Sequence, residues 1–64
     1  MRDPKRIPEI LQVLGEIWTK YPDLRLGQII DNASVESQSK APVFYIEDDD
    51  LLEGLKSLNQ KISG

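Results

Sequence analysis

The stretch Arg6-Ile7-Pro8-Glu9-Ile10-Leu11-Gln12-Val13-Leu14-Gly15-Glu16-Ile17-Trp18-Thr19-Lys20-Tyr21-Pro22 decides the fold. Its apolar residues Ile7, Ile10, Leu11, Leu14, Ile17, Trp18 and Tyr21 recur at intervals of three and four, which places them on one stripe of an α-helix. Two starts fit the sequence. Asp3 is an N-cap with Pro4 as the first helical residue, or the helix begins near Ile7 and Pro8 takes a first-turn position where its missing N–H costs nothing. The end is set by Pro22, which pushes Tyr21 out of the α region. A first helix over about residues 4–20 follows.

Tyr21-Pro22-Asp23 reads as a tight connection, with Asp23 capping a second helix over about 24–32. Its inward residues are Leu26, Ile29, Ile30 and Ala33, and Gly27 in its middle predicts close packing by another backbone, since glycine costs about 1 kcal/mol there relative to alanine. Residues 33–42 lack periodicity and end at Pro42, so they read as a flexible loop. Val43-Phe44-Tyr45-Ile46 is β-prone but short and without a second strand to pair with, so it is expected to lie extended against the helices. In that conformation Phe44 and Tyr45 face opposite sides, Phe44 inward and Tyr45 outward. Leu51, Leu52, Leu55, Leu58 and Ile62 form a further helical stripe, predicting a third helix over about 49–61 capped by Asp48 or Asp49.

These elements define an all-α domain of three helices spanning residues 1–64, with an extended segment before the last helix. The first helix is expected to be its central brace, with Trp18 in the core. A chain of 64 residues removes only about 60% of its unfolded surface from water. With no Cys or His, neither a disulfide nor a common structural zinc site can supplement that core. A protein partner or a second copy of the chain gains weight for this reason. The net charge of −3 repels phosphate backbones, which makes nucleic acid a disfavoured partner. No signal peptide or membrane-length apolar run is visible, so a cytoplasmic location is expected.

Few residues suggest chemistry. Glu47-Asp48-Asp49-Asp50 lacks the alternating oxygen ligands and central glycine of a calcium loop, and helix capping accounts for it. Arg2, Lys5 and Arg6 put positive charge at the wrong end of the first helix, and the acidic run around Asp48 is the nearest offset, in the same chain or in a second copy. Arg25 and Gln28, three apart on the outer face of the second helix, form a polar strip that invites comparison with helix-turn-helix readers, but no continuous basic stripe accompanies it. Ser34, Ser37 and Ser39 fall in the stretch read as loop, where no base is held beside them. Without His, Cys or a phosphate-binding loop, no catalytic, cofactor or metal site is expected. The residues left as a candidate interaction surface are Arg6, Arg25, Gln28, Tyr45, Glu47 and Asp48.

Arg6-Ile7, Ile17-Trp18, Pro22-Asp23-Leu24-Arg25-Leu26-Gly27-Gln28 and Phe44-Tyr45-Ile46-Glu47-Asp48-Asp49 together carry a resemblance. The chain resembles, over most of its length, a family of small uncharacterised bacterial and phage-associated proteins with an Arg-Ile helix ending in Trp, a Pro-Asp-Leu-Arg-Leu-Gly-Gln segment, and Phe-Tyr with an acidic run before a last helix. The linker Ser34 to Ala41 is longer here than in that pattern. The resemblance implies the helical architecture and no activity. The expectation is a small non-catalytic interaction or accessory module, with a nucleic-acid-associated regulator using the second helix as the alternative.

Overall fold

A computed structural model of the chain describes residues 3–63, with side chains for residues 3–61. Three α-helices follow in order, α1 (Arg6–Lys20), α2 (Leu26–Glu36) and α3 (Asp48–Ser63), and a 3-10 turn, Val43–Tyr45, precedes α3. The fold is all-α, as expected; Arg2 and the Ile62 side chain lie outside the described residues.

Of the two starts open to α1, the later one holds. Asp3 begins a turn, its Oδ1 accepting from the Lys5 N–H at 2.9 Å, and its carbonyl accepts from the Arg6 N–H at 3.2 Å. Pro8 is then the third helical residue, where the N–H would have no partner in the helix. Tyr21 leaves the helix at φ −130° and ψ 69°, as Pro22 requires. The second helix starts later than 24. Asp23 stays in the connecting turn, and Arg25, extended at φ −82° and ψ 149°, is the N-cap instead. Its N–H donates to Gln28 Oε1 at 2.8 Å, one half of a capping box.

The core consists of Ile17, Ile29, Ala33 and Leu55, with Ile10, Val13, Leu14, Leu24, Leu51 and Leu58 packed around them. The central element is α3, not α1: it packs against both other helices, which barely touch one another. The reason lies at Gly54. A Cβ there would run into the carbonyl oxygen of Ala33 and come within 3.0 Å of the Ser37 Cβ, so α2 and α3 lie backbone to backbone where Gly54 faces Ala33. Close packing expected at Gly27 is absent, because nothing lies within 4 Å of a Cβ built there. Gly27 is the second residue of α2 and exposed.

Ala33 is fully buried, and α2 continues past it to Glu36, four residues into the stretch read as loop. Ser34 is therefore helical. The polar composition that suggested a loop is the last turn of α2 together with its cap, where Glu36 and Ser37 face α3. Gln38 follows in the left-handed region at φ 64°, a conformation common just beyond a helix end. Ser37 Oγ donates to the Ser34 carbonyl at 2.6 Å, and the Ser39 and Ala41 N–H groups donate to the Ser37 and Ser39 hydroxyls, each at 3.2 Å.

Polar pairs bolt α3 to both neighbours. Toward α1, Asp48 meets Arg6 at 2.7 Å, Lys56 meets Glu9 at 3.1 Å, and Asn59 bridges Lys20 at 2.8 Å and Glu16 at 3.2 Å. These pairs ascend together along both helices, so α1 and α3 run in the same direction. Toward α2, Glu36 accepts from Ser57 Oγ at 3.0 Å and from Lys61 Nζ at 2.8 Å.

Two outcomes test this arrangement. Gly54→Ala should cost about 1–3 kcal/mol by overpacking, or about 4–8 °C in Tm for each kcal/mol in a domain of this size. Gly27→Ala should instead gain about 0.4–1 kcal/mol, and thermal unfolding followed by circular dichroism would refute the close approach if both variants shifted alike. The hydrogen bond from Lys61, then that from Ser57, holds the Glu36 carboxyl below its ordinary value of 4.5. A depressed carboxyl stabilises the fold fully above that value and loses its contribution as pH falls through the lower folded value. In an acid titration of Tm, Glu36→Gln should therefore remove part of the decline below pH 4.5; an unchanged decline would exclude this contribution.

Candidate protein-interaction surface

Pro42, at φ −58° and ψ 154°, opens the turn that carries the exposed rings of Phe44 and Tyr45. Within it the Tyr45 N–H donates to the Pro42 carbonyl at 2.8 Å and the Ile46 N–H to the Val43 carbonyl at 3.2 Å. A 3-10 turn has three residues per turn, so side chains at i and i+3 eclipse. Val43 and Ile46 therefore share a side, and Ile46 is half-buried while the turn rests on α2. Phe44 and Tyr45 project outward, 87% and 69% exposed. The inward placement expected for Phe44 fails because strand alternation, on which it rested, would have paired it with Ile46. The two rings stand edge to face, with centroids 5.0 Å apart and planes at 73°, a preferred geometry for an aromatic pair.

The backbone extends through Ile46 at φ −70° and ψ 131° and enters α3. Glu47 is exposed, and its carbonyl accepts from the Leu51 N–H at 3.0 Å. Asp48, Asp49 and Asp50 occupy the first turn of α3, where negative charge offsets the positive end of the helix dipole. Asp48 is inside the helix, so neither it nor Asp49 is an N-cap outside it. Arg6 reaches this turn from α1, its Nε donating to Asp48 Oδ2 at 2.7 Å and its Nη1 to the Asp3 carbonyl at 3.0 Å. The offset expected for the misplaced charge of Arg6 is thus found within the chain.

Of the six residues singled out from the sequence, four converge: Arg6 and Asp48 fasten the base, and Tyr45 and Glu47 stand on it. Arg25 and Gln28 do a different job at the start of α2, where the Gln28 amide oxygen is committed to the cap. Phe44 is the participant that sequence reasoning missed. The four residues between Pro42 and the acidic run are enough for either a short strand or a single turn, so the sequence carried no signal for it. Trp18, expected in the core, is 38% exposed, and its indole N–H donates to the Leu24 carbonyl at 2.9 Å. That hydrogen bond holds it at the corner between α1 and α2, where a buried indole N–H would have lacked this acceptor.

Among the described residues, no three or more Asp or Glu side chains are grouped so as to hold a metal ion. No helix among them is long and apolar enough to cross a membrane. A scan against protein-family models gave no match, and neither the curated proteins nor the solved structures contain one.

The half-buried Arg6–Asp48 pair makes a measurable claim. Arg6→Gln should lower stability by about 1 kcal/mol, between the values typical of exposed ion pairs and of hydrogen bonds to charged groups. In a double-mutant cycle with Asp48→Asn the two losses should fall short of additive by about 0.5 kcal/mol or more; strict additivity would show that the contact contributes nothing.

Proposed function

We propose that this protein is a small non-catalytic interaction module that docks onto a protein partner through the Phe44–Tyr45 turn and the adjoining acidic start of α3. One observation carries this reading: an aromatic pair is held in a defined geometry at 87% and 69% exposure, where an unbound surface gains nothing from it. Aromatic anchors surrounded by polar groups are the usual centres of protein interfaces. Here the rim is Glu47, Asp49 and Asp50, all exposed. The complementary surface on the partner is an apolar pocket edged by Lys or Arg. The ordered base matters to affinity, because a turn already fixed by Pro42 and by the Arg6–Asp48 pair loses little freedom on binding. A cytoplasmic setting, and the bacterial or phage context implied by the resemblance, belong to the same proposal.

Affinity capture from a bacterial extract, run in parallel with the full chain and with Phe44→Ala/Tyr45→Ala, tests the reading. The variant should keep its helical circular dichroism and lose the captured partner. Capture unaffected by the double substitution would reject the docking turn. Salt-dependent retention on heparin at low ionic strength would replace it with the nucleic-acid alternative.

A further inference from the structure

The apolar stripe of α1 is wider than the core can cover. Ile10, Val13, Leu14 and Ile17 face α2 and α3, while Ile7, Leu11, Trp18 and Tyr21 remain 50%, 61%, 38% and 45% exposed. Ile7, Leu11 and Trp18, four and seven residues apart, form one seam along the outer side of the helix, with Tyr21 just past the helix end. Beyond the seam the helix offers Pro8, Gln12, Gly15 and Thr19, none of them charged. Nothing lies within 4 Å of a Cβ built on Gly15, so this glycine, unlike Gly54, is explained by no contact within the chain. Thr19 turns its hydroxyl back to the Gly15 carbonyl at 2.6 Å. An open groove of about 420 Å³ lined by Gly15, Trp18, Thr19 and Pro22 runs along this face.

All four charged residues of α1 are occupied elsewhere. Arg6, Glu9, Glu16 and Lys20 each contact α3 through Asp48, Lys56 or Asn59. A partner recognised by charge has nothing to read on the outer face, and a lipid surface would call for Lys or Arg beside the apolar stripe. A second copy of the chain fits. In a two-fold interface the same patch meets itself, so a charge near the axis meets its own sign. A protomer of net charge −3 pairs with itself at least electrostatic cost through a face free of that charge. At roughly 100 Å² of exposed side chain each, Ile7, Leu11, Trp18 and Tyr21 put on this one face about half of the roughly 800 Å² that each partner contributes to a standard interface. That is the size of a dimer that forms at high concentration.

We propose that the α1 face of Ile7, Leu11, Gly15, Trp18 and Tyr21 is a two-fold interface with a second copy of this chain. It is independent of the Phe44–Tyr45 turn, and each can fail without the other. Light scattering and sedimentation of the full chain from micromolar to millimolar concentration should show a monomer passing to a dimer. Tm should rise with concentration, and Trp18 emission should shift to the blue as the indole is covered. Leu11→Glu should weaken the dimer about a hundredfold, since the change enters a two-fold interface twice. Gly15→Gln should also weaken it while raising the helix stability of the monomer, which separates loss of the interface from loss of the fold. Phe44→Glu should leave the dimer intact. A monomer at every concentration would overturn the proposal, as would a dimer that survives Leu11→Glu and Gly15→Gln.

Discussion

The structure depends on the contact between the α3 backbone at Gly54 and the carbonyl of Ala33 in α2. Two helices whose facing residues are glycine and alanine approach until their backbones touch, and the neighbouring Ile29 and Leu55 side chains are then forced together and fully buried. In a core with so few fully buried side chains, one such approach sets the positions of the rest. It also decides that α3 is shared. Once α2 is seated on one side of α3, the leucines at positions 51, 55 and 58 leave the other side for Ile10, Val13, Leu14 and Ile17 of α1.

Around that contact the polar groups act as alignment. Arg6, Glu9, Glu16 and Lys20 reach one side of α3, and Glu36 reaches the other. Each exposed pair contributes little energy alone. Their placement at successive levels opposes sliding of α1 along α3 and fixes the register that the apolar contacts leave loose. The Glu9 carboxylate also holds the Lys56 ammonium above its ordinary 10.5. One geometric result is that α1 spends its charges inward and turns a neutral apolar side to solvent.

The three helices were legible because their apolar spacing is strong and because Pro22 and the acidic run mark boundaries. The Arg6 charge placed against its own helix dipole pointed correctly to Asp48. What the sequence hid follows from third dimensions that periodicity does not carry. Gly27 and Gly54 are both helical glycines, and only the one lying among Leu51, Leu55 and Leu58 on an apolar stripe meets another backbone. The single stripe of α1 covers more of the helix than two neighbours can bury, so Trp18, read as core, is not, and Leu11 on the same stripe is exposed. Of the residues in the proposed surface, Tyr45 was read as outward from strand alternation, and Glu47 and Asp48 were singled out by charge. Phe44 was not, because a three-residue turn and a short strand share the same composition and differ in which side chain points out.

The left-handed residue Gln38 divides the chain into two parts with separate freedoms to change. Before it, Ala33 and Ser37 are held against Gly54, and an inserted residue would break that fit. After it, Ser39 to Pro42 is a spacer whose Ser39 and Ala41 N–H groups donate to the Ser37 and Ser39 hydroxyls. Length can vary there while the helical scaffold stays constant. The aromatic turn beyond it can thus be repositioned by insertion or deletion, so the turn and the scaffold that carries it are able to evolve separately.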